Sequence, residues 1–247
     1  MIPTLIKDLL LERFAFVRRM YGAKLMLTYG KSDISKWFLS NGEKLKFRLD
    51  LELNGLVLDI GAFKGTFTKK LMRNNPNNRY WLFEPIPKYF LSCKKQFKKM
   101  DNVSIHPLAV TSDGRSVNLS IRGLRSRIEE NGTPDLNTFS SVSIRDIFNS
   151  THKVELLKLN IEGMEYEVLN ELIAKNNLIK ARYLLIQFHN FNVGDEKRYI
   201  EIQKSLQNDY ENCFTFKWVW ELWERKEGLF PDSSFQQSFN TIPNNSK

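Results

Sequence analysis

The sequence predicts an α/β fold, a three-layer sandwich with a mostly parallel sheet between helices. Two observations carry this. Between residues 54 and 190 short apolar runs alternate with helical patterns, and strands separated by helices pair as parallel βαβ units. The length and composition, 247 residues with 42% hydrophobic and 26% charged, are those of a globular chain large enough to bury one core without staples.

Each element follows from its local pattern. Residues 2–29 place Ile2, Leu5, Leu9, Leu10, Val17, Met20 and Tyr21 three or four apart, the spacing of an amphipathic helix. Residues 1–50 are therefore read as an N-terminal helical cap. Residues 51–230 are read as the main domain. Its first strand, Leu-Val-Leu-Asp-Ile at 56–60, runs into a glycine turn, and residues 66–73 form a helix stopped by Asn74-Asn-Pro-Asn-Asn78. Residues 79–83 are the second strand. Pro87 then suits a helix first turn, and that helix is expected to turn Phe90, Cys93, Phe97 and Met100 inward. Strands follow at 103–105, 155–161 and 182–188, with a helix at 164–175 and an antiparallel addition at 117–121. One more helix after 195 and two strands at 213–216 and 219–223, the last antiparallel, complete the sheet. Residues 231–247, rich in Ser, Gln, Asn and Pro, have little to bury and read as a loosely ordered tail.

Composition excludes several classes. Two cysteines, Cys93 and Cys213, cannot build a disulfide framework. No run reaches the roughly 18 apolar residues of a membrane span. The N-terminal 20 residues carry Lys7, Asp8, Glu12 and Arg13 inside the apolar stretch, unlike a secretory signal, so a cytoplasmic protein is expected. Peripheral membrane contact through the first helix is the lesser alternative to a cap. The net charge of +9 favours anionic ligands without choosing among them.

In an open α/β sheet, ligands sit beyond the carboxyl ends of the strands. After the first strand comes Asp59-Ile-Gly-Ala-Phe-Lys-Gly65, where Gly61 and Gly65 permit a tight turn and close ligand approach. An acid before the first glycine would repel a pyrophosphate and suits an ammonium instead. After the second strand comes Glu84-Pro85, 25 positions beyond Asp59, about the distance of a ribose-hydroxyl acceptor. Together these describe an adenosine joined to an amino acid.

Leu58-Asp-Ile-Gly-Ala-Phe-Lys-Gly65, Phe83-Glu-Pro85, Ile105-His-Pro-Leu-Ala-Val110 and Leu157-Lys-Leu-Asn-Ile-Glu-Gly-Met-Glu-Tyr-Glu-Val-Leu169 occur in that order. Over about residues 50–190 the chain resembles the FkbM-type family of S-adenosylmethionine-dependent methyltransferases. The resemblance implies a class I methyltransferase (Rossmann-like) fold and O-methylation of a hydroxyl on a sugar, glycan or natural product. It implies a cofactor site at Asp59, Gly61, Ala62, Gly65, Glu84, Pro85 and Ala109, with Ala109 near adenine. Two positions depart from the family pattern. Asn160 stands where Asp is usual, and Gln187-Phe-His189 stands where Glu-x-His is frequent. Asn160 can orient a ligand but can neither act as a base nor bring charge to a metal site, so no metal is expected. The candidate catalytic residues are His189 as general base, since imidazole titrates near 6.5, Glu162 as proton acceptor or substrate ligand, and Asn160 in orientation.

Residues 122–138, with Arg122, Arg125 and Arg127, break the βα rhythm and read as a substrate loop whose arginines would receive an acidic or phosphorylated acceptor. The expected partner is a small-molecule or glycan acceptor; the sequence leaves the oligomeric state open. A second reading, a methyltransferase-like nucleic-acid-binding module or RNA methyltransferase, rests on the Lys94–Lys99 and Lys64–Arg73 faces. It is weaker, because charged helix faces are ordinarily just solvated and no aromatic-interleaved basic patch accompanies them.

Overall fold

A computed structural model describes residues 32–122, 125–128 and 137–228, with Met20, Tyr21, Ala23, Lys24, Met26 and Leu27. In chain order the elements are α1 (Asp33–Leu39), α2 (Gly42–Leu45), β1 (Leu56–Ile60), α3 (Thr66–Leu71), β2 (Arg79–Phe83), α4 (Pro87–Gln96), β3 (Val103–His106), β4 (Ala109–Thr111), β5 (Val117–Arg122), β6 (Arg125–Ile128), β7 (Asn137–Phe139), β8 (Ser141–Ser143), α5 (Ile144–Asn149), β9 (Val154–Leu159), α6 (Glu165–Ala174), β10 (Ala181–Ile186), α7 (Asp195–Asp209), β11 (Tyr210–Phe216) and β12 (Trp220–Arg225).

The main sheet has seven strands in the order β3-β2-β1-β9-β10-β12-β11. The five strands from β3 to β10 pair in parallel, and β12 runs antiparallel to both its neighbours. Strand order reverses between β1 and β9, the switch point where doubly wound sheets open a crevice.

The central strands are buried on both faces, as helix-covered parallel strands must be. Leu56, Leu58 and Ile60 of β1 point into a cluster with Ile147 of α5, Val168 and Leu172 of α6, and Ile202 and Leu206 of α7. Val57 points the other way, joining Leu71, Tyr80, Leu82, Cys93 and Phe97 under α3 and α4. Each such side chain contributes roughly 1.5–3 kcal/mol on full burial. Acids in the first turn of α6, Glu165 and Glu167, favour that end through the helix dipole.

The α4 face differs from the expected one. Tyr89, Cys93 and Phe97 are buried, whereas Phe90 is half-buried and Met100 is 47% exposed. Tyr89 and Cys93 are one helical step of four apart, while Met100 lies beyond the helix end at Gln96.

The antiparallel addition also lies elsewhere. β5 pairs with β6 and β7 in a separate three-stranded sheet, not with the main sheet. Strands therefore occupy part of 122–138, where a loop was expected; residues 123–124 and 129–136 lie outside the described residues. Of the N-terminal helix, the described positions are helical, Met20 is exposed, and Tyr21 meets Phe38 edge-on at 5.0 Å. The tail at 231–247 lies outside the described residues. α1 docks on the far edge of the sheet, with Trp37 against Phe214 and Phe216 of β11.

Candidate active site

The loop after β1 is held from four sides. The N–H groups of Gly61 and Ala62 both donate to the Phe83 carbonyl at the end of β2, at 3.0 and 3.1 Å. Phe63 N–H donates to Glu84 Oε2 at 2.8 Å. The Cys93 thiol donates to the Phe63 carbonyl, and Gln96 Nε2 donates to the Gly65 carbonyl at 2.9 Å. Burial pushes the Cys93 thiol up to about 12, which keeps it a donor. Gly61 is required by close approach: its φ is +76° and an added Cβ would lie 2.0 Å from the Asn160 carbonyl oxygen. Gly65 is required differently, since a Cβ there would meet Phe97 and Gln96 of α4.

The loop borders a cavity of about 350 Å³ at the carboxyl ends of β1, β2 and β9, within the usual range for small-molecule sites of roughly 300–1,000 Å³. Gly61, Ala62, Glu84, Pro85, Ala109, Asn160 and Glu162 line it. Asp59, Gly65 and His189 are not among the lining residues, a correction to a picture that put all the candidate residues against the ligand. One stretch of wall is apolar: Ile86, Tyr89, Val117 and Met164 cluster there with Phe63 and Ala109 against them. Val117 brings the small β5–β7 sheet to this wall.

Glu84 is 5% exposed. It accepts from Phe63 N–H and, through Oε1, from Ile86 N–H at 2.9 Å. Burial outweighs these two bonds and raises its carboxyl to about 7. It has lone pairs left for further donors.

Asp59 does not offer its charge to the cavity. Strand register pairs Asp59 of β1 with Lys158 of β9, so both side chains leave the same face. Lys158 Nζ lies 2.8 Å from Asp59 Oδ1 and donates to the Gly61 carbonyl at 2.7 Å. Thr68 Oγ1 donates to Asp59 Oδ2 at 2.6 Å. The pair is nearly fully buried. The ammonium that Asp59 seemed to await is therefore supplied by the chain, and the carboxylate locks the glycine loop to β9. Lys158, which does line the cavity, was missed; its signal in sequence was its place directly before the β9 carboxyl end.

Asn160 follows β9 and lines the cavity, and its Oδ1 is buried without a hydrogen-bond partner among the described residues. A buried unpaired acceptor is rare and costs roughly 1–3 kcal/mol unless a ligand fills it. Glu162 adopts a left-handed backbone with φ 56°, uncommon for a residue with a side chain and typical of functional loops.

His189 and Glu162, from the ends of neighbouring strands β10 and β9, come together. His189 Nε2 is 3.6 Å from Glu162 Oε2, and Nδ1 is 2.9 Å from Glu165 Oε1. Glu165 is fully buried and accepts from Ile161 N–H at 2.7 Å and Gly163 N–H at 2.9 Å. A carboxylate offers only lone pairs, so Nδ1 carries a proton toward Glu165 and Nε2 is the ring nitrogen that faces Glu162. Glu165 was another residue not singled out. As a first-turn acid of α6 it has an ordinary role in sequence, and only the fold shows it holding a histidine from β10.

A family model described as the methyltransferase FkbM domain matches residues 59–227. No curated protein matches the chain. Among solved structures, similarity extends to a protein of Clostridium thermocellum named as an rRNA methylase, at 11% identity over 79% of this chain and 96% of that one, with a TM-score of 0.49. A protein of Streptococcus mutans named as a methyltransferase and solved with SAH gives 10% identity over 76% and 97%, with a TM-score of 0.46. A precorrin-6y C5,15-methyltransferase of Geobacter metallireducens gives 14% over 76% and 87%, with a TM-score of 0.43. The chain belongs to the FkbM family of S-adenosylmethionine-dependent methyltransferases.

Proposed function

We propose that the chain moves a methyl group from S-adenosylmethionine to a hydroxyl oxygen of a sugar, glycan or natural product, with the proton leaving toward Glu162 and His189. The observation that carries this reading is the Glu162–His189–Glu165 array beside a cavity whose wall holds Glu84 and an unpaired Asn160 Oδ1.

The residues fit the cofactor. Glu84 keeps acceptor capacity for the ribose hydroxyls, the Ile86–Tyr89–Val117–Met164 wall suits adenine, and Asn160 Oδ1 is an acceptor for the ammonium of the amino-acid end. When bound, S-adenosylmethionine supplies a methyl group already activated on a sulfonium. The chain has to hold the acceptor oxygen in line and remove its proton. Glu162 lines the cavity and reaches the acceptor first. His189 stands behind it with its tautomer set by Glu165, which acts as a positioning residue. The 3.6 Å separation of Nε2 from Glu162 is longer than a direct hydrogen bond, so the two groups couple through charge and not through a shared proton.

The test is calorimetry with S-adenosylmethionine, then a radiolabelled methyl-transfer screen over nucleotide sugars, glycans and hydroxylated small molecules, with structured RNA as the opposing arm. Turnover on a hydroxyl acceptor is expected. Transfer to RNA alone overturns the acceptor class, and no cofactor binding at millimolar concentration overturns the whole reading.

A further inference from the structure

Part of the cavity wall is basic and aromatic. Lys46, Phe67, Lys158 and Trp220 belong to it. Lys158 lies within electrostatic reach of both Glu84 and Lys46. Lys46 precedes the matched region, which begins at residue 59.

We propose that Lys46 receives the carboxylate at the amino-acid end of the cofactor, so that the segment ahead of the methyltransferase module completes the binding site. The inference rests on the methyltransferase reading above and deepens it.

Four observations support it. Lys46 is 8% exposed and still borders the cavity, so its ammonium faces either protein or ligand. The ammonium lies over the Trp220 ring at 4.7 Å and near the Trp37 ring at 5.8 Å, surfaces that fix its position without consuming its donors. Among the described residues its one carboxylate partner is Glu43, at 2.9 Å. Glu43 also accepts from the Trp37 indole N–H at 3.3 Å. An ammonium has three donors, and one carboxylate does not exhaust them.

Charge points the same way. Burial, with Lys70 and Lys158 nearby, pushes the Lys46 ammonium below its ordinary range against the pull of Glu43. Lys158 cannot serve instead, since its ammonium is committed to Asp59 and to the Gly61 and Ile60 carbonyls. The cofactor's ammonium and carboxylate sit on one carbon. Asn160 Oδ1 for the first and Lys46 for the second are two complementary groups lining the same cavity.

The experiment is calorimetry of the full chain with S-adenosylhomocysteine and with its decarboxylated analogue, which keeps the nucleoside, the thioether and the amine. The proteins are wild type, Lys46→Met and Lys46→Arg. Lys46→Met should weaken S-adenosylhomocysteine about 10- to 100-fold, the scale of a hydrogen bond between charged groups. It should leave the analogue within about twofold, which also shows that the variant is folded. Lys46→Arg should recover most of the loss. Equal weakening of both ligands, or no weakening of either, overturns the assignment of Lys46 while the cofactor site stands. A wild type that binds neither ligand overturns the cofactor site and the assignment together.

Discussion

The two sides of the strand-order switch carry different kinds of site. On the β1–β2 side the work is done by backbone. The Gly61–Gly65 loop is fastened by N–H and carbonyl groups to Phe83, Glu84, Cys93 and Gln96, and the buried Asp59 ahead of it is neutralised by Lys158. On the β9–β10 side, side chains meet one another: Glu162, His189 and Glu165 come from a loop, a strand end and a helix first turn. A site made of backbone holds a constant ligand. A site made of titratable side chains can move a proton. Damage to the first should appear in folding and affinity, and damage to the second in turnover.

The sharpest break of this comparison is Gly61→Val. The side chain collides with the Asn160 carbonyl oxygen and the backbone is left-handed, so both the loop and the β9 end must shift. Cofactor binding should vanish in calorimetry, and the thermal midpoint should fall as well. Normal binding would mean that the β1–β9 contact tolerates movement and that the first side is less rigid than argued.

Lys158→Met comes next. It leaves Asp59 charged and buried without its partner, which costs roughly 3–5 kcal/mol of stability in a denaturant titration. Adding Asp59→Leu should return much of that loss, because removing both charges removes the uncompensated one. A double variant no more stable than the single one would show that the pair contributes more than mutual neutralisation.

His189→Ala tests the other side. Turnover should fall about 10²–10⁴-fold, with cofactor affinity almost unchanged, and Glu162→Gln, which stands nearer the acceptor, should fall at least as far. If Glu162→Gln loses turnover while His189→Ala keeps it, the cavity-lining carboxylate alone takes the proton. Loss of affinity in His189→Ala would blur the division between the two sides.

Glu84→Ala should weaken cofactor binding by roughly 1.5–3 kcal/mol, read by calorimetry, with little effect on fold because the side chain caps only two N–H groups. A smaller pH effect accompanies it. A carboxyl raised to about 7 in the apoprotein binds more protons folded than unfolded. Its contribution to apoprotein stability is full below the unfolded value of about 4.5 and is lost as pH rises through about 7. Hydroxyl donors from a bound ribose favour the carboxylate. Cofactor affinity should therefore fall as pH drops from about 7.5 to 6, with proton release on binding, and Glu84→Ala should remove the dependence. A flat profile in the wild type would place the ribose elsewhere.

How far the site was legible depends on how local each signal is. The sequence by itself determined the alternation of strands and helices and the turn after β1. Those are properties of stretches five to fifteen residues long, where apolar periodicity and glycine leave few choices. Glu84 was found because a parallel sheet sends its strand ends to one rim, and Asn160 and Glu162 through the family resemblance of the run at 157–169. The tertiary structure alone decided which charges meet. Asp59 reads as a ligand acid until β1 and β9 align in register and Lys158 arrives beside it. Glu165 reads as a dipole-favoured helix acid until β10 delivers His189 to it. Lys46 carries no signal in sequence, and only the fold brings Trp37 and Trp220 to it. Ion pairs between residues tens to a hundred positions apart leave no periodic trace. The energy of a buried charge depends on its nearest partner, and that partner is chosen by strand register and helix docking.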